Sequence, residues 1–301
     1  MSVFFSGLYT ALITPFTDDN KIDYKALERL LTEQIEAGVD GLVVMGTTGE
    51  SPVIYGREME DLTRFVREQT RGRNCKIIIG TGSNDTAFAE EETRMCDRLD
   101  VDAMMIVNPY YNKPTQEGLF QHFRCLAAAT ERPILLYNIK GRTGVNLETP
   151  TLLRLIEAAP NIRGVKEASG DLDQISDVIR KTPSDFAVLS GDDALTFHLM
   201  LLGGSGTVSV MSNLRPQVMR KLINALAEQN IEKARALQFQ WLDLMRALLS
   251  VGNNPLAVKT LLHLEGRAGR HVRSPLWPLD KEEQDLLHGI LQRCEAGGPG
   301  S

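Results

Sequence analysis

Eight short apolar runs, at residues 8–14, 41–45, 76–80, 102–107, 133–138, 162–167, 186–190 and 206–210, alternate with amphipathic stretches along most of the chain. Helical periodicity fills the gaps, for example at 24–37, 57–71, 86–99, 116–130 and 215–227. Such alternation builds βα units and a parallel sheet. Eight units predict an α/β fold closed as a (β/α)8 TIM barrel. A doubly wound open sheet is the second choice, but it needs fewer strands, and no Gly-x-Gly-x-x-Gly follows the first run. Beyond residue 230 the strand pattern stops. Helices are expected at 231–249, 255–263 and 281–293, the last opening at Asp280 with Glu282 and Glu283 in its first turn. The expected division is a catalytic barrel over 1–227 and a C-terminal helical domain over 228–301, the latter a candidate oligomer surface. The tail 296–301 reads as flexible.

Charge narrows the function. Lys and Arg number 33 against 39 Asp and Glu, a net charge of -6, which argues against nucleic acid or an anionic membrane as partner. No apolar run is long enough to cross a bilayer, and the first six residues lack the pattern of a signal peptide, so a cytoplasmic protein is expected. Cys75, Cys96, Cys125 and Cys294 are scattered and read as free thiols. The five histidines are isolated too, so no metal site is expected.

Barrel enzymes carry their chemistry at the C-terminal ends of the strands, which selects a short set of residues. Lys166 lies in the sixth run. Burial favours its neutral amine, the nucleophile that makes Schiff bases with carbonyl compounds. The plainer reading is a lysine that snorkels to solvent or pairs with Glu167. Gly46-Thr47-Thr48-Gly49 follows the second run and offers backbone N–H groups and hydroxyls to a carboxylate, or is simply a turn that caps a helix. Tyr110, Tyr111 and Tyr137 sit at strand ends, where a neutral hydroxyl can relay protons or merely pack. Arg142, among glycines after the fifth run, suits a second carboxylate or is a surface arginine. Gly203-Gly204-Ser205-Gly206 precedes the eighth run and reads as a helix stop and tight turn. Asp192 and Asp193 read as helix caps, and Glu50 and Glu167 as structural, with Glu167 placed to tune Lys166.

Taken in order, Gly46-Thr47-Thr48-Gly49-Glu50-Ser51, Pro109-Tyr110-Tyr111-Asn112, Tyr137-Asn138 with Gly141-Arg142-Thr143-Gly144, and Gly164-Val165-Lys166-Glu167-Ala168 resemble the dihydrodipicolinate synthase and N-acetylneuraminate lyase superfamily of pyruvate-dependent class I aldolases. The resemblance spans essentially the whole chain. It implies a lyase in which Lys166 forms the Schiff base with pyruvate, Thr47 and Thr48 hold the pyruvate carboxylate, and Tyr137 moves protons through Thr48 to Tyr111. In the superfamily the second tyrosine of the Tyr-Tyr pair reaches in from a neighbouring subunit, which implies a homo-oligomer, commonly a tetramer built as a dimer of dimers. The resemblance further implies that Arg142 binds the carboxylate of L-aspartate-4-semialdehyde, that main-chain atoms near Gly191 and Val208 line the pyruvate pocket, and that no cofactor is used. The implied reaction condenses pyruvate with the semialdehyde in diaminopimelate and lysine biosynthesis.

Two neighbouring activities share this machinery: N-acetylneuraminate lyase and keto-deoxy sugar-acid aldolase. Thr47 and Arg142 favour the condensing enzyme over both, and the intact set argues against a non-catalytic barrel. The chain departs from the pattern at Lys140, where proline is usual, and at Gly252-Asn253-Asn254-Pro255, where Glu-x-Asn-Pro is usual. Lysine-regulated members build an inhibitor site beside the Tyr-Tyr pair. Ser51, Asn84 and Tyr110 fit such a site, but Phe88 stands where many have an acid, and Gly56 and Met59 replace polar residues. Weak or absent inhibition by L-lysine is therefore expected, and millimolar inhibition in a steady-state assay would contradict it.

Overall fold

The computed structural model describes residues 3–297; the last four residues of the expected flexible tail lie outside them. Strands β1 (Gly7–Ala11), β2 (Gly41–Val44), β3 (Lys76–Gly80), β4 (Ala103–Val107), β5 (Ile134–Asn138), β6 (Ile162–Glu167), β7 (Ala187–Ser190) and β8 (Gly206–Ser209) pair in parallel, each with the next, and β8 closes on β1. The expected barrel is the observed one. Its strands are buried almost throughout, which is why their sequences are continuous apolar runs rather than alternating ones.

Helices α1 (Tyr24–Glu36), α2 (Arg57–Thr70), α3 (Thr86–Asp97) and α4 (Gln116–Ala128) follow the first four strands. A single turn, α5 (Lys140–Thr143), precedes α6 (Thr149–Ala158); α7 (Leu172–Lys181), α8 (Asp193–Leu201) and α9 (Pro216–Ala227) complete the ring. Side chains that bind freed backbone N–H groups start many of them: Asp23 for α1, Asp85 for α3, Thr115 for α4, Asp171 for α7 and Asp192 for α8. The Gly203–Gly206 stretch is the helix stop expected, with Gly203 at φ +105°.

Three further helices follow, α10 (Ile231–Ser250), α11 (Leu256–Leu264) and α12 (Lys281–Glu295), the last opened by a capping box between Asp280 and Glu283. Helix α10 packs on α8, α9 and α12. The C-terminal region also reaches the catalytic end of the barrel. Lys259 of α11 is fully buried and pairs with Glu50, just after β2. The connection from α10 to α11 runs over the mouth of the barrel, where Gly252 (φ +61°) and Asn253 (φ +79°) are both left-handed. Gly252 has no room for a side chain, since a Cβ there would lie 2.0 Å from Leu279 Cδ2. No helix among the described residues is long and apolar enough to cross a membrane.

Candidate active site

Barrel register decides what meets what. Tyr137 on β5 and Lys166 on β6 are direct cross-strand partners, and both side chains are buried. The Lys166 Nζ lies 3.9 Å from the centre of the Tyr137 ring. Burial lowers the Lys166 pKa to about 7, and the nearby Arg142 charge pushes the same way against the opposing pull of Asp193. Much of this amine is thus neutral at pH 7. Burial pushes the Tyr137 phenol up to about 12, so it keeps its proton at neutral pH.

The turn after β2 supplies the hydroxyls. Residues Thr47–Gly49 form one 3-10 turn, followed by Glu50 in the left-handed region. The structure departs from the expected relay here: the side chain beside the Tyr137 hydroxyl, where it opposes the upward shift of the phenol, is that of Thr47 rather than Thr48. The Thr48 hydroxyl instead accepts a 2.9 Å bond from Asn254 Nδ2. Successive residues of a 3-10 turn point about 120° apart, so only one of two adjacent threonines can face the phenol.

A cavity of about 220 Å³ opens over Lys166, bounded by Tyr137, Thr48, Arg142, Gly191 and Asn254. Beside it a second cleft of about 280 Å³ is lined by Thr47, Tyr110, Arg142 and Glu92, the last a carboxyl raised to about 7 by burial and by neighbouring Glu91. Arg142 borders both spaces. It rides on α5, where Nη2 donates to Asn253 Oδ1 (2.7 Å) and the Asn254 carbonyl (3.1 Å). The turn that carries it is closed by bonds from Arg142, Thr143 and Gly144 N–H groups even with Lys140 in place of proline. Gly191 gives Lys166 its passage. A Cβ there would stand 2.8 Å from the Ala168 Cβ and 3.0 Å from the Lys166 Cε. Gly191→Ala is accordingly expected to fold with some loss of stability while cutting kcat/KM for pyruvate by roughly 10- to 100-fold, the penalty for a reacting group moved by about an ångström. Steady-state pyruvate saturation at a fixed second substrate tests this, and wild-type values would refute it.

Other expectations shift. Val208 is buried on β8 and does not border the cavity; Val210, just past the end of that strand, does. Glu167 does not tune Lys166. Neighbours on a strand point to opposite faces, and its carboxylate accepts from Asn138, Gln174 and the Ser169 N–H on the helix side. Of the two aspartates, only Asp192 caps α8 through its side chain; Asp193 turns inward, where its Oδ2 accepts from the N–H groups of Val210 and Met211 at 2.9 Å each. Burial raises the Asp193 carboxyl to about 6. Tyr111 is exposed at 87 %, is left-handed at φ +72°, and borders neither space. Among the described residues, no three His, Cys, Asp or Glu side chains are grouped to hold a metal ion. Asn253 and Asn254 escaped the sequence reading as site residues; the one trace was the departure from Glu-x-Asn-Pro.

Comparison with known proteins resolves the kinship. A sequence model described as the dihydrodipicolinate synthetase family matches residues 4–294. The chain belongs to this family. It is 45% identical, over 96% of each chain, to 4-hydroxy-tetrahydrodipicolinate synthase of Protochlamydia amoebophila. Its fold superposes with a TM-score of 0.94 on the 4-hydroxy-tetrahydrodipicolinate synthase of Methylacidiphilum fumariolicum, at 44% identity and 97% of each chain. It also matches the chloride-inhibited dihydrodipicolinate synthase of Acinetobacter baumannii, solved in complex with pyruvate, with a TM-score of 0.92, 38% identity, and coverage of 96% of this chain and 99% of that one.

Proposed function

We propose that this protein is a 4-hydroxy-tetrahydrodipicolinate synthase, a lyase that condenses pyruvate with L-aspartate-4-semialdehyde in diaminopimelate and lysine biosynthesis. The observation that carries the reading is the Lys166 amine, buried, lowered by that burial to a pKa of about 7, and 3.9 Å from the centre of the Tyr137 ring. Membership of the family and the pyruvate complex of the Acinetobacter baumannii relative support the same substrate.

Lys166 attacks the keto carbon of pyruvate, whose carboxylate rests on the Thr47–Thr48 turn. The Tyr137 hydroxyl donates a proton to the oxygen that leaves as water, giving a protonated Schiff base. That iminium withdraws electrons from the methyl group, which loses a proton and becomes an enamine. The enamine carbon attacks the aldehyde of the semialdehyde, whose carboxylate is held by Arg142. The semialdehyde amine then adds to the iminium carbon, closing the ring and releasing Lys166. Gly191 leaves the space through which Lys166 reaches the keto carbon. Tyr111, exposed on this chain, enters the site of a second copy, so the working enzyme is an oligomer, in our reading a dimer of dimers.

Borohydride reduction in the presence of pyruvate is expected to leave a pyruvyl adduct on Lys166, visible by peptide mass spectrometry. Turnover of pyruvate with L-aspartate-4-semialdehyde, measured beside cleavage of N-acetylneuraminate, is expected to favour the former. Folded protein without an adduct would refute the Schiff-base reading, and cleavage of the sugar acid alone would move the activity to the lyases.

A further inference from the structure

Arg142 is an unusual anchor for a substrate carboxylate. It stands on a single helical turn, it is exposed, and no Asp or Glu pairs with it among the described residues. A long side chain in that setting samples many rotamers, and ordering it on substrate arrival weakens binding. The structure shows what holds it. Both described Arg142 bonds come from Nη2 and run to the connection between α10 and α11, one to the Asn253 carboxamide and one to the Asn254 carbonyl, while Asn254 Nδ2 bonds Thr48. Nε and Nη1 have no protein acceptor among the described residues and remain for a ligand.

The backbone is built for this contact. Two consecutive left-handed residues reverse the chain and turn the Asn253 side chain toward a residue 111 positions earlier. Asparagine tolerates that conformation better than most side chains. The preceding Gly252 is fixed by Leu279, which leaves no space for a Cβ.

We propose that Asn253 is a positioning residue for the second substrate, presenting the Arg142 guanidinium to the carboxylate of the incoming aldehyde acid. It rests on the proposed condensation, and it adds a determinant outside the barrel strands. Through Asn254, the same segment ties the anchor for the second carboxylate to Thr48 at the pyruvate end of the cavity. The C-terminal region thereby aligns the two substrates.

Two variants test it. Asn253→Gly keeps the left-handed backbone and deletes the carboxamide; it is expected to raise KM for L-aspartate-4-semialdehyde roughly five- to tenfold, the effect of losing one ordinary hydrogen bond while the bond from Arg142 to the Asn254 carbonyl remains. Asn253→Asp also tolerates the backbone and still binds the guanidinium, but its charge competes with the substrate carboxylate, so the KM rise should be larger. In both, KM for pyruvate and the yield of reduced pyruvyl adduct should stay within about twofold of wild type, a split that general loosening of the fold would not produce. Unchanged semialdehyde KM in both variants would overturn the proposal, as would a parallel rise in both KM values. Absence of the pyruvyl adduct in the unmodified enzyme would overturn the condensation reading itself, and it is scored on a separate sample.

Discussion

Lys166→Met is expected to destroy the catalyst and strengthen the fold. The variant has no amine, so borohydride should trap no pyruvyl adduct, and turnover should fall on the order of 10²- to 10⁴-fold or more. The stability gain follows from the sign of the pKa shift. In the folded protein the Lys166 pKa is lowered to about 7, whereas an unfolded lysine titrates near 10.5. Between those values the unfolded chain holds a proton that the native state lacks, so the wild type gains stability as pH rises through this window. Below pH 7 both states are protonated and the native state carries a buried ammonium at full cost. Methionine, of similar length and without charge, avoids that cost. The variant should therefore melt several degrees higher at pH 6 to 7, with the advantage shrinking toward pH 10. The wild-type profile should match, with kcat/KM for pyruvate falling on the acid side of an apparent pKa near 7. A trappable adduct in the variant, or a melting advantage that grows with pH, would defeat this account.

The parts of the site that were legible in the sequence are those a single strand fixes. Lys166 and Tyr137 are placed by their positions near the ends of β6 and β5, and parallel pairing does the rest. Period two also dictates that Glu167 faces away from Lys166, so that expectation failed against a rule readable from the sequence. Local turn geometry was less legible. Thr47 and Thr48 are adjacent and chemically identical, and only the sense of the 3-10 turn assigns one to Tyr137 and the other to Asn254. Long-range contacts were illegible. Nothing local joins Arg142 to Asn253, because the partner arrives on a connection outside the barrel and the backbone that aims it depends on Leu279. Lys259 was hidden for a related reason: an amphipathic helix with one lysine ordinarily turns that lysine to water.

That lysine supports the other large prediction. Lys259 and Glu50 form a fully buried ion pair; the ammonium also donates to the His271 carbonyl and lies 4.3 Å from the centre of the Phe16 ring, while Glu50 accepts from the Arg273 N–H. Burial lowers the Lys259 pKa to about 8, with Glu50 opposing the shift. Removing one partner leaves the other charge stranded. Lys259→Met and Glu50→Gln should each lose about 3–5 kcal/mol of stability, read as a lower urea midpoint. The double variant should lose clearly less than the two losses added, since no uncompensated charge remains. Strictly additive losses would mean that the charges are not coupled. Activity supplies a second readout, because Glu50 holds a left-handed backbone at φ +57° directly after the Thr47–Gly49 turn. The strain at such a residue persists only while its surroundings enforce it. In the folded fraction of either single variant that turn should relax, raising KM for pyruvate more than KM for the semialdehyde. This is the opposite split from the Asn253 variants, so the two measurements together assign each end of the cavity to its own support: the buried pair for the keto acid, the Asn253–Asn254 arm for the aldehyde acid.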